Sequence, residues 1–282
     1  MVVKSKFQNN TDMRYFLLTL AFTSLLLLSS QAIDQLPVIE NHAFKTGEKL
    51  TFELSYSSMM TGDVTAGIMT SKIHKNKWVI SGDTTYRIKV TGKTKGAFNW
   101  FFKVNDVYQT YLDEKYMVPR YFSQRVKEGE YEASRDVRFF HESKKAWFIN
   151  NKNQDSDTVQ IDYNVQDLIS GMYFARTFNS DSLEFNDIIS IPIFLDDSVY
   201  HTNLKFIGRK TIETSLGKVA CLKFNPSVQT GGVFKDDDKL VVYISDDKNH
   251  LPILAESEVM VGKIKIELIK YSGLRNDFVS LE

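Results

Sequence analysis

The chain has 282 residues, with 35 Lys+Arg against 35 Asp+Glu, five histidines, one cysteine and 43% hydrophobic residues. A formal charge of zero argues against a protein that tracks nucleic-acid phosphates, since such proteins carry a basic surplus. A charged fraction of 25% with 20 Phe and 13 Tyr argues against disorder, and a lone cysteine excludes an internal disulfide or a Cys-x-x-Cys motif.

Lys4, Lys6 and Arg14 precede an apolar run from Tyr15 to Leu28. The run is shorter than the roughly 20 residues a membrane-spanning helix needs. Ser30-Gln31-Ala32 then places small residues where a signal peptidase reads. The expectation is a signal-peptide helix within residues 1–32, cleavage after Ala32, and one β-rich domain over 33–282. An uncleaved N-terminal anchor is the alternative, and Met13-Arg14 offers a second start site. The only cysteine, Cys221, lies far from any lipobox position, and no later segment approaches a membrane span. The implied location is periplasmic or secreted, with no transmembrane segment after cleavage.

Beyond Ala32 apolar and polar residues alternate. Leu50, Phe52, Leu54 and Tyr56 alternate with Thr51, Glu53, Ser55 and Ser57, the period of a strand with one buried face. The same pattern predicts strands over 64–73, 78–90, 98–112, 116–126, 131–140, 146–150 and 158–161. After a gap it resumes over 188–194, 200–208, 210–214, 218–224, 240–245, 253–260 and 263–271. Short breaks at Thr61-Gly62-Asp63, Lys75-Asn76-Lys77, Glu128-Gly129, Ser215-Leu216-Gly217 and Val261-Gly262 read as hairpin turns. Parallel strands need long crossovers. The expectation is therefore an all-β fold: an antiparallel meander, strongly curved or nearly closed. Cys221, within an alternating run, reads as a small buried hydrophobe.

One segment breaks the period. Val165, Leu168, Ile169, Met172 and Tyr173 recur at helical spacing between Asn164 and Arg176. This predicts a short amphipathic helix on the concave side of the sheet, with Asn164 or Asp167 as cap.

Motifs for catalysis are sparse. Thr91-Gly92-Lys93-Thr94 resembles the end of a phosphate loop, but Arg87 stands where its first glycine belongs, and a hairpin turn is the better reading. The histidines (His42, His74, His141, His201 and His250) form no short-range ligand pair, so solvated or strand-end positions are expected rather than zinc. Asp196-Asp197, Asp236-Asp237-Asp238 and Asp246-Asp247 lack calcium-loop spacing, and no Gly-x-Ser-x-Gly elbow occurs. No catalytic residue, metal ligand or cofactor is assigned.

The most unusual stretch is Phe98-Asn99-Trp100-Phe101-Phe102. As a strand it puts Phe98, Trp100 and Phe102 on one face. Two readings stand: a core strand, or an apolar lip for a hydrophobic ligand or a membrane surface. Met59 and Met60 sit at a turn that belongs to the same opening. The candidate ligand-binding residues are Phe98, Trp100, Phe102, Met59, Met60 and Tyr108.

The order of elements resembles an exported bacterial family, domain of unknown function 3108. The resemblance runs from about Phe44 to Tyr271. It begins with Phe44-Lys45-Thr46-Gly47-Glu48-Lys49-Leu50-Thr51-Phe52. It continues through the aromatic run, Val104-Asn105-Asp106, Tyr108, Tyr111, Asp113, Pro119 and Glu128-Gly129. It includes Gln166-Asp167-Leu168-Ile169-Ser170 with Tyr173 and Arg176, then Gly217, Pro226, Gly231, Phe234, Ser245-Asp246-Asp247, Pro252 and Gly262. Tyr243 stands where relatives often carry tryptophan. The resemblance implies an envelope location and a curved antiparallel β architecture, and supplies no activity and no catalytic residues. The residues themselves suggest structural work: Asp167 as helix cap, Arg176 paired with Asp106 or Asp113, and Gly217 and Gly262 at turns with positive φ. The implied function is non-catalytic binding of an apolar or amphipathic envelope component, such as a lipid. An assembly partner of another envelope protein, or an enzyme acting on envelope glycan or lipid, are the alternatives.

Overall fold

The computed structural model describes residues 36–58, 62–230, 233–236 and 240–282. The expected signal peptide and the pair Met59 and Met60 lie outside these residues. The strands, in chain order, are β1 (Lys49–Ser58), β2 (Gly62–Ile73), β3 (Trp78–Ile80), β4 (Asp83–Thr94), β5 (Asn105–Asp113), β6 (Pro119–Glu128), β7 (Tyr131–Phe140), β8 (Lys145–Asn150) and β9 (Ser156–Gln160). Then follow β10 (Ile188–Leu195), β11 (Ser198–Thr214), β12 (Gly217–Thr230), β13 (Val233–Asp236), β14 (Leu240–Ser245), β15 (Pro252–Glu258) and β16 (Lys263–Ser272). Two short helices, α1 (Phe98–Phe101) and α2 (Leu168–Phe174), complete the described elements, with a 3-10 turn at His141–Ser143.

All sixteen strands belong to one antiparallel sheet. Its order is β10-β11-β12-β14-β15-β16-β1-β2-β4-β5-β6-β7-β8-β9, with β13 beside β12 and β3 beside β4. Two meanders are thus joined by the pairing of β1 with β16, Leu54 opposite Ile266. The sheet is not closed by hydrogen bonds, because β9 and β10 remain its ends. It is nevertheless curled: Phe194 of β10 meets the rings of Phe139 in β7 and Phe148 in β8 at 5.9 and 6.1 Å. Strands from opposite ends of the order touch only when a twisted sheet coils back on itself.

The alternation explains the elements well. β7 and β14 coincide with the expected strands, while one expected strand divides into β3 and β4. Residues 200–208 and 210–214 fuse into β11, with a register shift at Gly208, whose φ is +122°. A bulge of this kind breaks the period without ending the strand. Gly92 and Lys93 lie inside β4, paired with Met69 and Ile68 of β2, so no hairpin turn forms there.

The segment between β9 and β10 carries the chain from one end of the sheet to the other. Gln166 pairs in parallel with Ile193 of β10, and its side-chain amide donates to the Met117 carbonyl at 3.0 Å. Helix α2 starts at Asp167, not Asn164. One Asp167 oxygen accepts the Ile169 and Ser170 N–H groups at 2.8 Å, and Ser170 Oγ accepts the Asp167 N–H at 2.7 Å. This reciprocal box satisfies donors that a helix start leaves unpaired. Ile169 and Tyr173 enter a core of Phe44, Ile73, Ile88, Leu112, Val137, Phe139 and Phe194. A second cluster of Leu50, Phe52, Val219, Cys221, Ile253 and Leu268 is covered by Leu274, Phe278 and Leu281 of the C-terminal tail. Cys221 is buried, and burial pushes its thiol up to about 12, so it packs rather than reacts.

Candidate functional site

Strand β4 runs between β2 and β5, and its last rung with β5 pairs Lys93 with Asn105. The chain must therefore reverse between these two residues. Gly96 supplies a φ of +58° at the start of the reversal. One helical turn, α1, follows, with the Phe102 N–H donating to the Phe98 carbonyl at 2.8 Å. Thr94 Oγ accepts the Val104 N–H at 2.9 Å and donates to Asn99 Oδ1 at 3.1 Å, which locks the base of the loop. The Lys95 N–H donates to the Ala66 carbonyl, and the Lys103 carbonyl accepts the Gly129 N–H.

This geometry corrects the core-strand reading of the aromatic run. Trp100 and Phe101 are 87% and 86% exposed. Phe98 is half-buried, and Phe102, though partly exposed, lies over Gly129, where an added Cβ would stand 3.1 Å from its ring. Tyr108 is separate from this loop. It points into the core region, stacks on Phe122 with centroids 6.4 Å apart, and burial pushes its phenol up to about 12.

The neighbouring connections extend the apolar surface. In the sheet order β15-β16-β1-β2-β4-β5-β6-β7, the described hairpin connections after β15, β4 and β6 fall at one end. Val259, Met260 and Val261 are exposed at the β15–β16 tip, Met260 completely. Gly262 turns this tip with φ +86°, and Tyr56 Oη donates to the Val261 carbonyl at 2.6 Å. Tyr131 is exposed beside Gly129 on the β6–β7 tip. Sequence reasoning missed Phe101, Tyr131 and the Val259–Val261 tip. Three apolar residues in succession just before a turn glycine were the available signal.

The opposite end is polar. A cleft of about 780 Å³ is lined by His42, Arg176, Ser180, Asp247, His250 and Arg275, among others. Arg176 pairs with neither Asp106 nor Asp113. Its guanidinium holds Glu48 through two bonds of 2.6 and 2.8 Å, both groups fully buried. It also donates to the Asn249 carbonyl at 3.0 Å and lies over the rings of Phe44 and Tyr173. Asp106 instead accepts the Lys127 N–H at 3.0 Å; burial, with the Asp106 charge added to it, pushes the neighbouring Glu128 carboxyl up. Asp113 meets Arg120 at 3.0 Å, and Arg120 also reaches Asp83 and Glu142. Gly217 turns the β11–β12 hairpin with φ +129°, at 3.0 Å from the Glu282 carbonyl for an added Cβ.

In the cleft His250 is buried rather than solvated. Its Nδ1 faces the Arg176 carbonyl at 2.9 Å and its Nε2 meets Ser180 Oγ at 3.0 Å. Burial holds its basicity below the ordinary imidazole value. Phe178 stacks on the ring at 4.4 Å. Among the described residues, no cluster of three or more His, Cys, Asp or Glu is placed to hold a metal. No described helix is long and apolar enough to cross a membrane.

Among solved structures, the chain is similar to a β-barrel-like protein of domain of unknown function DUF1849 from Brucella abortus. The TM-score is 0.52 at 10% identity, covering 82% of this chain and 99% of that one. That likeness concerns the fold alone. Lower scores relate it to a protein from Bacteroides fragilis described as exported with a YmcC-like fold (TM-score 0.35, 8% identity, 83% of this chain and 99% of that one). A protein from Parabacteroides distasonis described as a lipoprotein scores 0.34 at 10% identity, covering 84% and 100%. None of the curated proteins compared matches the sequence. A family model matches residues 51–269, and the chain belongs to the family of proteins of unknown function DUF3108.

Proposed function

We propose that this protein is exported to the cell envelope and binds an apolar or amphipathic component there without catalysis. Export is supported by the apolar run Tyr15 to Leu28 followed by Ser30-Gln31-Ala32. The observation that carries the binding reading is the exposure of Trp100 and Phe101 on a loop held rigidly at its base. Single exposed apolar residues are ordinary, but contiguous exposed rings are uncommon without a partner. The test is native mass spectrometry of detergent-free protein, together with titration of a fluorescent fatty acid. Wild type is expected to bind the probe, and Trp100→Ser with Phe101→Ser to bind it at least about tenfold more weakly. Absence of both co-purified lipid and probe binding refutes the reading.

The Ser180–His250 contact favours one second reading, hydrolysis at the polar cleft. A hydroxyl on a neutral imidazole, with the other ring nitrogen fixed by a carbonyl, is the arrangement of an activated nucleophile. A fluorophosphonate probe separates the readings. Labelling of wild type that disappears in Ser180→Ala supports hydrolysis; an unlabelled folded wild type leaves the contact structural.

A further inference from the structure

We propose that the apolar end docks on a bilayer surface bearing anionic headgroups, with Trp100 and Phe101 inserting and Lys95 and Lys103 contacting phosphate. The inference rests on the binding reading above and names its partner: the lipid surface itself, rather than one extracted molecule.

Three observations point there. The exposed side chains come from separate hairpin tips at the same end of the sheet: Trp100 and Phe101 beyond β4, Val259 to Val261 beyond β15, Tyr131 beyond β6. A cleft for one ligand draws its lining inward. These residues project outward from turns, where polar residues are the norm. The residue types are also those of a membrane interface, where an indole sits at headgroup depth and Phe, Met and Val reach the acyl boundary.

Charge supplies the second half. From Lys93 to Lys103 the chain has three lysines and no carboxylate. Lys95 and Lys103 flank the aromatic turn, both exposed, and among the described residues neither has an ion-pair partner. The acids of the adjoining tips are largely matched. Glu132 meets Lys127 and Lys152, Glu258 meets Lys263, and Asp63 approaches Lys265. Glu130 is left over on the β6–β7 tip, and Glu128, whose carboxyl is pushed up by burial and by the Asp106 charge, lies half-buried at the end of β6. The unpaired positive charge thus stands beside the rings that would insert, the pattern by which basic residues hold an apolar anchor on an anionic surface.

The anchoring loop is also pre-ordered. Its two ends are tied by backbone bonds to β2 and to the β6–β7 turn, and its middle by Thr94 and Asn99. Docking therefore orders little backbone, so the transfer of the rings is not spent on fixing the loop.

The experiment is co-sedimentation with phosphatidylcholine vesicles, with and without about a third phosphatidylglycerol, a composition that sets a negative surface potential. Wild type should bind the anionic vesicles and release with salt. Trp100→Ser with Phe101→Ser should lower the partition coefficient at least about thirtyfold. Lys95→Gln with Lys103→Gln should lower it about tenfold on anionic vesicles and leave the neutral ones unchanged. Trp100→Phe should keep binding but lose the quenching that brominated acyl chains impose on Trp100. All four positions are surface sites, so melting temperatures should match wild type and exclude misfolding as the cause.

Binding of the fatty-acid probe without vesicle binding overturns docking and leaves the binding reading intact. Failure of both removes both. Equal retention on neutral and anionic vesicles, or retention unmoved by the ring substitutions, overturns the proposed surface. A dimer in sedimentation velocity that the ring substitutions dissociate, with no vesicle binding, assigns the patch to a second copy and overturns the proposal as well.

Discussion

His141 and Asp167 are both buried, and their protons pull stability in opposite directions. Burial holds the His141 imidazole down at about 4; its Nε2 donates to the Pro119 carbonyl, and its Nδ1 finds no partner. Between pH 6.5 and 4 the unfolded chain binds this proton and the folded one does not, so stability falls on acidification. Burial raises the Asp167 carboxyl to about 6, against the opposing hydrogen bonds from Thr110, Ser170 and Ile169. Here the folded state binds the proton more tightly. This contribution is full below pH 4 and is lost as pH rises through 6. The two slopes offset each other over nearly the same window. Asp167→Asn, which keeps a capping oxygen, should expose a steep loss of stability from pH 6.5 to 4, on the order of 2–3 kcal/mol. His141→Gln should show the reverse, a gain on acidification. Urea midpoints at several pH values read both, and parallel profiles for the two variants would exclude the assignment.

At the scale of elements, helix α2 is fastened at its C-terminal end by the Glu48–Arg176 pair. A buried pair contributes little net stability against an apolar replacement, but losing one partner strands a charge. Arg176→Met should cost about 3–5 kcal/mol, and Glu48→Met with Arg176→Met should cost less than the single change. Urea denaturation distinguishes these, and a double variant weaker than Arg176→Met would show that Glu48 gains nothing from the pair. Asp106→Ala should show no coupling with Arg176, since Asp106 serves the Lys127 N–H instead. The pair also marks the boundary of what was legible. Asp167 and Ser170 lie three residues apart, and a cap can be read from such local spacing. Glu48 and Arg176 are 128 residues apart, and no local pattern links them. The aromatic run misled for a related reason. Alternating rings suit a strand by themselves, and only the rung between Lys93 and Asn105 shows that the chain must turn between them. Tips, being set by pairing register, are the hardest feature to place from periodicity alone.

The described sheet curls back on itself, and β10 at one end of its order meets β7 and β8 near the other end through side chains rather than a ladder. The chain itself crosses that seam, since the segment with α2 leaves β9 and enters β10, and Gln166 pairs along β10 on the way. The most remote pairing, β1 with β16, lies instead in the middle of the sheet, backed by Leu50, Phe52 and Leu268. Opening should therefore begin at the seam, where few backbone bonds must break, and reach β1 and β16 last. Phe194 bridges the seam, touching Phe139 and Phe148 from the far strand group, and Arg135 of β7 also reaches Asp196 beyond β10 at 3.0 Å. Phe194→Ala should cost about 3–5 kcal/mol as a buried aromatic truncation. In native-state hydrogen exchange it should also accelerate the amides of β8, β9 and β10 while those of β1, β2 and β16 keep their sub-global protection. Uniform acceleration across all strands would mean the sheet opens as one unit and the seam has no stability of its own. Selective acceleration would identify the α2 strap as the hinge, and would place the most yielding part of the fold away from the β15–β16 tip, which belongs to the proposed lipid-facing surface.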